Sequence, residues 1–275
     1  MNKTFEKILR FINKIVLTDL SVYDESFLLK TIQNRINHLQ LKNEIDYLHF
    51  IEKHYEETVL LIGSLRNCYT EFFRNPFIFG ILEQIILPKL FEELDRRKKS
   101  EIRIWSAGCS SGQEAYSIAI LVNEFKMLRN KQNPVMIFAT DISETEIQIA
   151  KKGQYDQNSI RNIRYSYIDE YFIKKGKYLI FKDDIKKNID FSIYDLLEND
   201  SNSPPASIYG DFDLILCNNL LFYYNDETKH KIIEKLYKSL NINGYLFTGE
   251  AEADILCRFN DFQQISWNSP VFRKK

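Results

Sequence analysis

Residues Ile102–Ala119, IRIWSAGCSSGQEAYSIA, decide the fold. A short apolar run, Ile102–Ser106, passes through a turn containing Gly108 and Gly112 directly into a helical stretch that begins at Glu114. Glycines at such a strand-turn-helix junction let the backbone turn tightly and approach a ligand, while the helix start offers free N–H groups. The turn is not a GxGxxG fingerprint, and two glycines alone are weak grounds for a nucleotide-like ligand. Glu114 adds to them. A carboxylate in a first helical turn suits the helix dipole, yet it can equally pair with the ammonium of a methionine moiety at a place where phosphate would be repelled.

Downstream of Ser100, short apolar runs bounded by polar turns alternate with longer helical patterns, as in a parallel sheet built from βαβ units. Strands are expected at Ile102–Ser106, Val135–Thr140, Ile189–Ile193, Phe212–Cys217 and Tyr245–Thr248, with a terminal pair near Phe262–Trp267 and Val271–Arg273. Helices are expected at Glu114–Arg129, Glu144–Lys152 and Asp226–Leu240. The segment Tyr165–Lys187, which contains YLIF, has no place in a simple repeat of this kind and reads as a short insertion. Upstream, residues 1–65 show three-to-four spacing without strand-like alternation, the mark of a small helical domain. Residues 66–100 read as a continuing helical linker with an aromatic face, in which Pro88 marks a break or kink.

The 275 residues, 44% of them hydrophobic, suffice for one large domain and a small one. A net charge of -1 argues against a nucleic-acid partner, because neutralising phosphates takes a basic face. The compact cluster Arg96, Arg97, Lys98 and Lys99 reads as a solvated connection. No stretch has the length of a membrane span, and the apolar positions near the N-terminus are interrupted by Lys and Asn, so a cytoplasmic protein with no direct membrane insertion is expected. Cys68, Cys109, Cys217 and Cys257 form no CxxC pair, so neither zinc nor a disulfide framework is expected.

Two further stretches complete the candidate site. Asp141, in ATD at the end of the second strand, stands where Rossmann-type sheets place an acid to accept hydrogen bonds from ribose hydroxyls. It could instead cap the Glu144–Lys152 helix, although Ser143 is available for that. FDLILCNNLLFYY is a buried strand that ends in two amides and an aromatic pair at the carboxyl edge of the sheet, the edge at which open α/β sheets bind ligands.

Together these residues resemble the CheR family of chemoreceptor glutamate methyltransferases over nearly the whole chain. The family's signature, approximately IWSAGCSTGEEPYSIA, stands here as IWSAGCSSGQEAYSIA. Its TxFFR is Thr70–Arg74 (TEFFR), its ASDID-like segment is ATDIS at Ala139–Ser143, and its FCRNVxIYF is LCNNLLFYY at Leu216–Tyr224. GYLFTGEAE at Gly244–Glu252 is similar to the family's GGYLFLGHSE, and LSVYDESFLLKTIQNRI to its first helices. The resemblance implies a Rossmann-like, class I S-adenosylmethionine (SAM) dependent methyltransferase sheet from residue 101 to 275, mostly parallel with an antiparallel terminal strand, behind a small all-α N-terminal domain. It implies that Cys68, Thr70, Arg74, Gly108, Glu114, Asp141, Asp195, Leu196, Cys217 and Asn218 line the SAM pocket. Arg74 and Tyr223 are implied as the catalytic pair, and a chemoreceptor-like signalling protein as the partner.

The sequence departs from the family at several of these places. Asn218 stands where the family usually has Arg, which removes a positive charge near the reacting groups. Cys68 takes the place of an Asn, Gln113 that of the first acid of the GEE triplet, Asp195 that of an Asn, and Glu250 that of a His. Two readings follow, an enzyme and a catalytically weak SAM-binding module that acts on a partner by contact. The helix Leu28–Leu41, which in the family faces an acidic receptor helix, carries only Lys30, Arg35 and His38, so electrostatic steering is expected to be weak. Some members insert a three-stranded subdomain that docks a receptor's C-terminal pentapeptide tail. The short insertion here leads to the expectation of no such tethering.

Overall fold

The computed structural model describes residues 3–16, 19–66, 69–207, 209–266 and 269–275. The chain divides into two compact units, one made of residues 1–68 and 221–231, the other of residues 69–220 and 232–275.

The first unit is helical: α1 (Lys3–Val16), α2 (Glu25–His38), α3 (Glu44–Ile51) and α4 (Glu56–Arg66). Side chains three and four apart share a helix face, so Ile8 and Ile12 of α1 and Leu28, Ile32 and Ile36 of α2 enter one core with Phe5, Tyr47, Ile51, Leu61 and Leu65. Asp24 and Asn43 cap α2 and α3 by accepting backbone N–H groups. The buried Glu57 accepts both arms of Arg35 at 2.7 Å and the Tyr47 hydroxyl at 3.1 Å. Removing one partner would strand a desolvated charge. Arg35 is thus engaged inside the unit, which leaves Lys30 and His38 as the basic residues of that helix.

Residues 221–231 join this unit through an antiparallel bridge between Tyr23 and Tyr224, and through hydrogen bonds from Asp24 N to Tyr223 O and from Asn225 N to Val22 O, each 2.9 Å. Reading residues 101–275 as one domain takes in this segment, which the structure places with the helices.

The second unit opens with α5 (Pro76–Ile81), a π-helical turn over Leu82–Ile86 and α6 (Leu87–Arg97). The expected continuous helix over 66–100 is corrected here, because residues 69–75 form a turn that ends at Asn75. Asn75 caps α5 and Pro76 occupies its first turn, where a missing N–H does no harm. The backbone leaves α-helical geometry just ahead of Pro88, which lies in the first turn of α6.

Then follow β1 (Ile102–Ala107), α7 (Gln113–Arg129), β2 (Val135–Asp141), α8 (Glu144–Lys152), β3 (Gln154–Asp156), α9 (Tyr165–Tyr171), β4 (Phe172–Lys175), β5 (Tyr178–Phe181), α10 (Asp183–Lys186), β6 (Ile189–Ile193) and β7 (Phe212–Cys217). After α11 (Asp226–Ser239), which both units share, come β8 (Leu240–Thr248), α12 (Ala253–Leu256), β9 (Phe262–Gln264) and β10 (Val271–Lys274). The main sheet has the order β6-β2-β1-β7-β8-β10-β9. Its first five strands pair in parallel, and β10 runs antiparallel to β8 and β9. All residues of β1 and β7 but the second of each, Arg103 and Asp213, are buried, as suits the middle of a parallel sheet.

The insertion is longer than expected. β3, β5 and β4 form a complete three-stranded antiparallel sheet that starts at Gln154, right after the Gly153 cap of α8. Three residues of β3 are too few to show alternation in the sequence, so the premise for expecting no tail docking is gone.

Gly112 is the tightest point of the second unit. With φ at +92°, a Cβ built there would lie 2.8 Å from Ala150 Cβ on α8 and 3.2 Å from Phe191 on β6. We expect Gly112→Ala to destabilise the protein by roughly 2–4 kcal/mol. Gly63→Ala, on an exposed helix position with nothing near its Cβ, should be neutral or stabilise by up to about 1 kcal/mol. Urea unfolding midpoints of the two variants decide this, and equal losses would refute the packing argument.

Candidate cofactor and catalytic site

The carboxyl ends of β1, β2, β6 and β7 meet on one edge, with β2 and β7 leaving on opposite sides of β1. That is a topological switch point, where open α/β sheets leave a crevice. The turn from β1 into α7 is fastened from outside. Gly108 N and Cys109 N both donate to Thr140 O at 2.8 Å, and the positive φ of Gly108 (+78°) and Ser110 (+48°) curls the turn back on itself.

Asp141, the last residue of β2 and 8% exposed, accepts Ser110 N at 2.8 Å on one oxygen and Ser143 N at 2.9 Å on the other. Ser143 is the residue that caps α8, accepting Glu146 N at 3.3 Å, so Asp141 is released from that duty. Burial pushes its carboxyl up, against the pull of the Ser143 and Ser110 N–H groups.

Glu114, in the first turn of α7, accepts Ser106 Oγ at 2.6 Å and Asn218 Nδ2 at 2.7 Å, one on each oxygen. Desolvation raises its pKa above the usual carboxylate range. The bonds from Ser106 and Asn218 and the charge of Arg74 oppose that rise, and Glu252 adds to it. Arg74 is exposed in the turn before α5, where its Nη1 donates to Tyr69 O at 2.5 Å and its guanidinium lies 5.4 Å from the Tyr69 ring centroid. Phe73 N donates to Ser117 Oγ at 3.0 Å, which ties this turn, with Thr70, to α7.

Past β6, Tyr194 N donates to Asp141 O at 3.1 Å and Asp195 accepts Leu197 N at 2.8 Å, while Leu196 is buried. Cys217 closes β7 with no exposure, and burial lifts its thiol well above the ordinary range. The second unit thus holds Thr70, Arg74, Gly108, Glu114, Asp141, Asp195, Leu196, Cys217 and Asn218. Tyr223 belongs to the helical unit, where its ring packs 4.7 Å from that of Phe27. Cys68 lies outside the described residues.

Two carboxylates escaped the sequence reading. Glu146 accepts Ser110 Oγ at 3.1 Å. Glu252, fully buried, accepts Asn219 N and Gly249 N at 2.9 Å each. The one available signal was Glu252 itself, the acid that closes both GEAE and the family's GHSE. Among the described residues there is no metal-binding group of His, Cys, Asp and Glu, and no helix is long and apolar enough to cross a membrane.

A lining of carboxylates repels phosphate and suits a ligand with a cationic end. The sheet is Rossmann-like, and the family match makes the protein a SAM-dependent methyltransferase with SAM as its cofactor. Residues 69–268 match the family described as CheR methyltransferase, SAM binding domain, and the chain belongs to that family. It is similar to a chemotaxis protein methyltransferase of Borreliella burgdorferi, 33% identical over 263 residues, covering 92% of this chain and 89% of that one. Chemotaxis protein methyltransferase 1 of Pseudomonas aeruginosa is 33% identical over 223 residues, covering 78% and 77%. A chemotaxis protein methyltransferase of Listeria innocua is 29% identical over 256 residues, covering 92% and 90%.

The raised pKa of Glu114 gives a pH signature. If Glu114 takes the ammonium of the cofactor, only its carboxylate form can do so, and affinity for S-adenosylhomocysteine should be full well above the raised pKa and fall as pH drops through it, starting above the usual carboxylate range. Stability runs the other way. A raised folded pKa contributes stability that is fully present below the unfolded value and lost as pH rises through the folded one. Calorimetric titration across pH should show this fall in wild type and a flat, weaker response in Glu114→Gln, lower by about tenfold or more. A wild-type affinity that does not change with pH would argue against the pairing.

Proposed function

We propose that the protein transfers the methyl group of SAM to glutamate side chains of a chemoreceptor-like signalling protein, forming methyl esters. The carrying observation is the pair of desolvated carboxylates, Glu114 and Asp141, at the switch point, with the charge of Arg74 acting on Glu114. The names of the relatives support a chemotaxis protein as the acceptor.

A glutamate with a pKa near 4.3 is already a nucleophile at neutral pH, so the reaction needs no general base. Bound SAM supplies a methyl group made electrophilic by its sulfonium. The protein's task is to hold, align and desolvate. Glu114 and Asp141 fix the two ends of the cofactor, through the ammonium and the ribose. In this reading Arg74 grips the acceptor carboxylate with its planar fork, and Tyr223 orients a carboxylate oxygen. Asp195 and Leu196 border the adenine, with Thr70, Gly108 and Cys217 completing the wall. His38, His49, His54 and His230 have no part, as a base-free transfer allows.

Asn218 favours a second reading, a module that binds SAM and regulates a partner by contact. Purified protein, labelled SAM and receptor cytoplasmic fragments separate the two. The enzyme reading expects base-labile methyl label on the receptor, and a loss of about tenfold to 100-fold in kcat/KM for Arg74→Ala and for Tyr223→Phe. Binding of S-adenosylhomocysteine without any transfer would favour the contact module.

A further inference from the structure

Asn218 directly follows β7, and its Nδ2 donates to Glu114 Oε2 at 2.7 Å. A carboxylate only accepts, so this bond sets the amide orientation: nitrogen toward Glu114, oxygen away from it. That oxygen is buried and has no hydrogen-bond partner. Buried acceptors are nearly always satisfied, and one that is not points to a missing donor. The neighbouring donors are already committed, Ser106 Oγ to Glu114 and Asn219 N to Glu252.

Resting on the cofactor reading above, we infer that Asn218 Oδ1 and Glu114 together form the seat for the ammonium group of SAM. An ammonium brings three donors and no acceptor, so it can satisfy both oxygens at once. The ligand's own carboxylate cannot take this place, because two acceptors would face it. Asn218 therefore does two jobs: its nitrogen aims Glu114, and its oxygen completes the seat. An arginine at this position would bring charge and no acceptor. The Asn that departs from the family pattern thus makes this chain read the amino group of its cofactor with two groups. The raised pKa of Glu114 agrees with a carboxylate awaiting a cation.

The test is calorimetric titration of wild type, Asn218→Leu and Asn218→Ala with three ligands. S-adenosylhomocysteine carries amine and carboxylate, its decarboxylated analogue keeps only the amine, and methylthioadenosine lacks both. The expected result is a loss of about tenfold or more for the two amine-bearing ligands, with methylthioadenosine unchanged within about twofold. The two variants guard against one that does not fold, and thermal melts identify it. Equal weakening of all three ligands, no weakening, or a loss confined to S-adenosylhomocysteine would overturn the inference while leaving the cofactor site in place. Wild type that binds none of the three would overturn the cofactor reading and this inference with it.

Discussion

The carbonyl of Thr140 holds the site together. It accepts the N–H groups of both Gly108 and Cys109, so the end of β2 dictates the path of the turn that leaves β1. The next residue extends this control, since Asp141 holds Ser110 on one side and Ser143 on the other. Three consecutive features of the fold, the turn, the strand end and the start of α8, are thereby fixed by two adjacent residues. Gly112 then lets α7 begin against Ala150 and Phe191, and the position of Glu114 in the first turn follows from that contact. A side chain at Gly112 would push α7 outward and take Glu114 from Ser106 and Asn218.

This arrangement crowds carboxylates where water is scarce. Burial is the main force raising the pKa of both Glu114 and Asp141, and the structure offsets it mainly with aimed donors, helped at Glu114 by the charge of Arg74. Asp141 and Glu252 take backbone N–H groups, and Glu114 takes a hydroxyl and an amide. Donors of this kind leave the negative charge in place while lowering its free energy. A salt bridge would have neutralised it. The remaining attraction is available to a cationic ligand and is unfavourable to a phosphate.

The parallel strands are legible because their apolar residues gather in short segments sharply bounded by polar turns. Ile189–Ile193 and Phe212–Cys217 stand where the sequence puts them, and Glu144–Lys152 is a helix from its serine cap to its glycine. The turn at 69–75 was misread as helix because Phe72, Phe73, Phe77 and Phe79 mimic an apolar helical face. The Asn75–Pro76 pair, a cap followed by a first-turn proline, was the stronger local signal. Of the site, Glu114 and Asp141 were readable from their places after strands. Glu146 was not, because it accepts the hydroxyl of Ser110, 36 residues away in sequence, whereas Glu252, which accepts Gly249 N three residues back, carried a local signal that the sequence reading passed over.

The helical unit was the hardest to delimit, for a topological reason. After β7 the chain enters this unit at Leu221 and leaves it partway along α11, at Lys231. Its second contribution is short, yet it supplies the Tyr23–Tyr224 bridge, the stacked rings of the same pair at 5.5 Å and the Asn225 side-chain bond to Ser21 O. Contacts between residues so far apart leave no periodicity to read. They also mean that residues 1–68 are not the whole helical unit: cut from the chain, the N-terminal helices would keep their own core but lose the partner for the backbone of Val22, Tyr23 and Asp24. Tyr223 sits in that strip, fastened through its carbonyl to Asp24 N. Its place is therefore set by the N-terminal helices, and the aromatic pair that closes LCNNLLFYY belongs to the helical unit's architecture although the residues before it in sequence belong to the sheet.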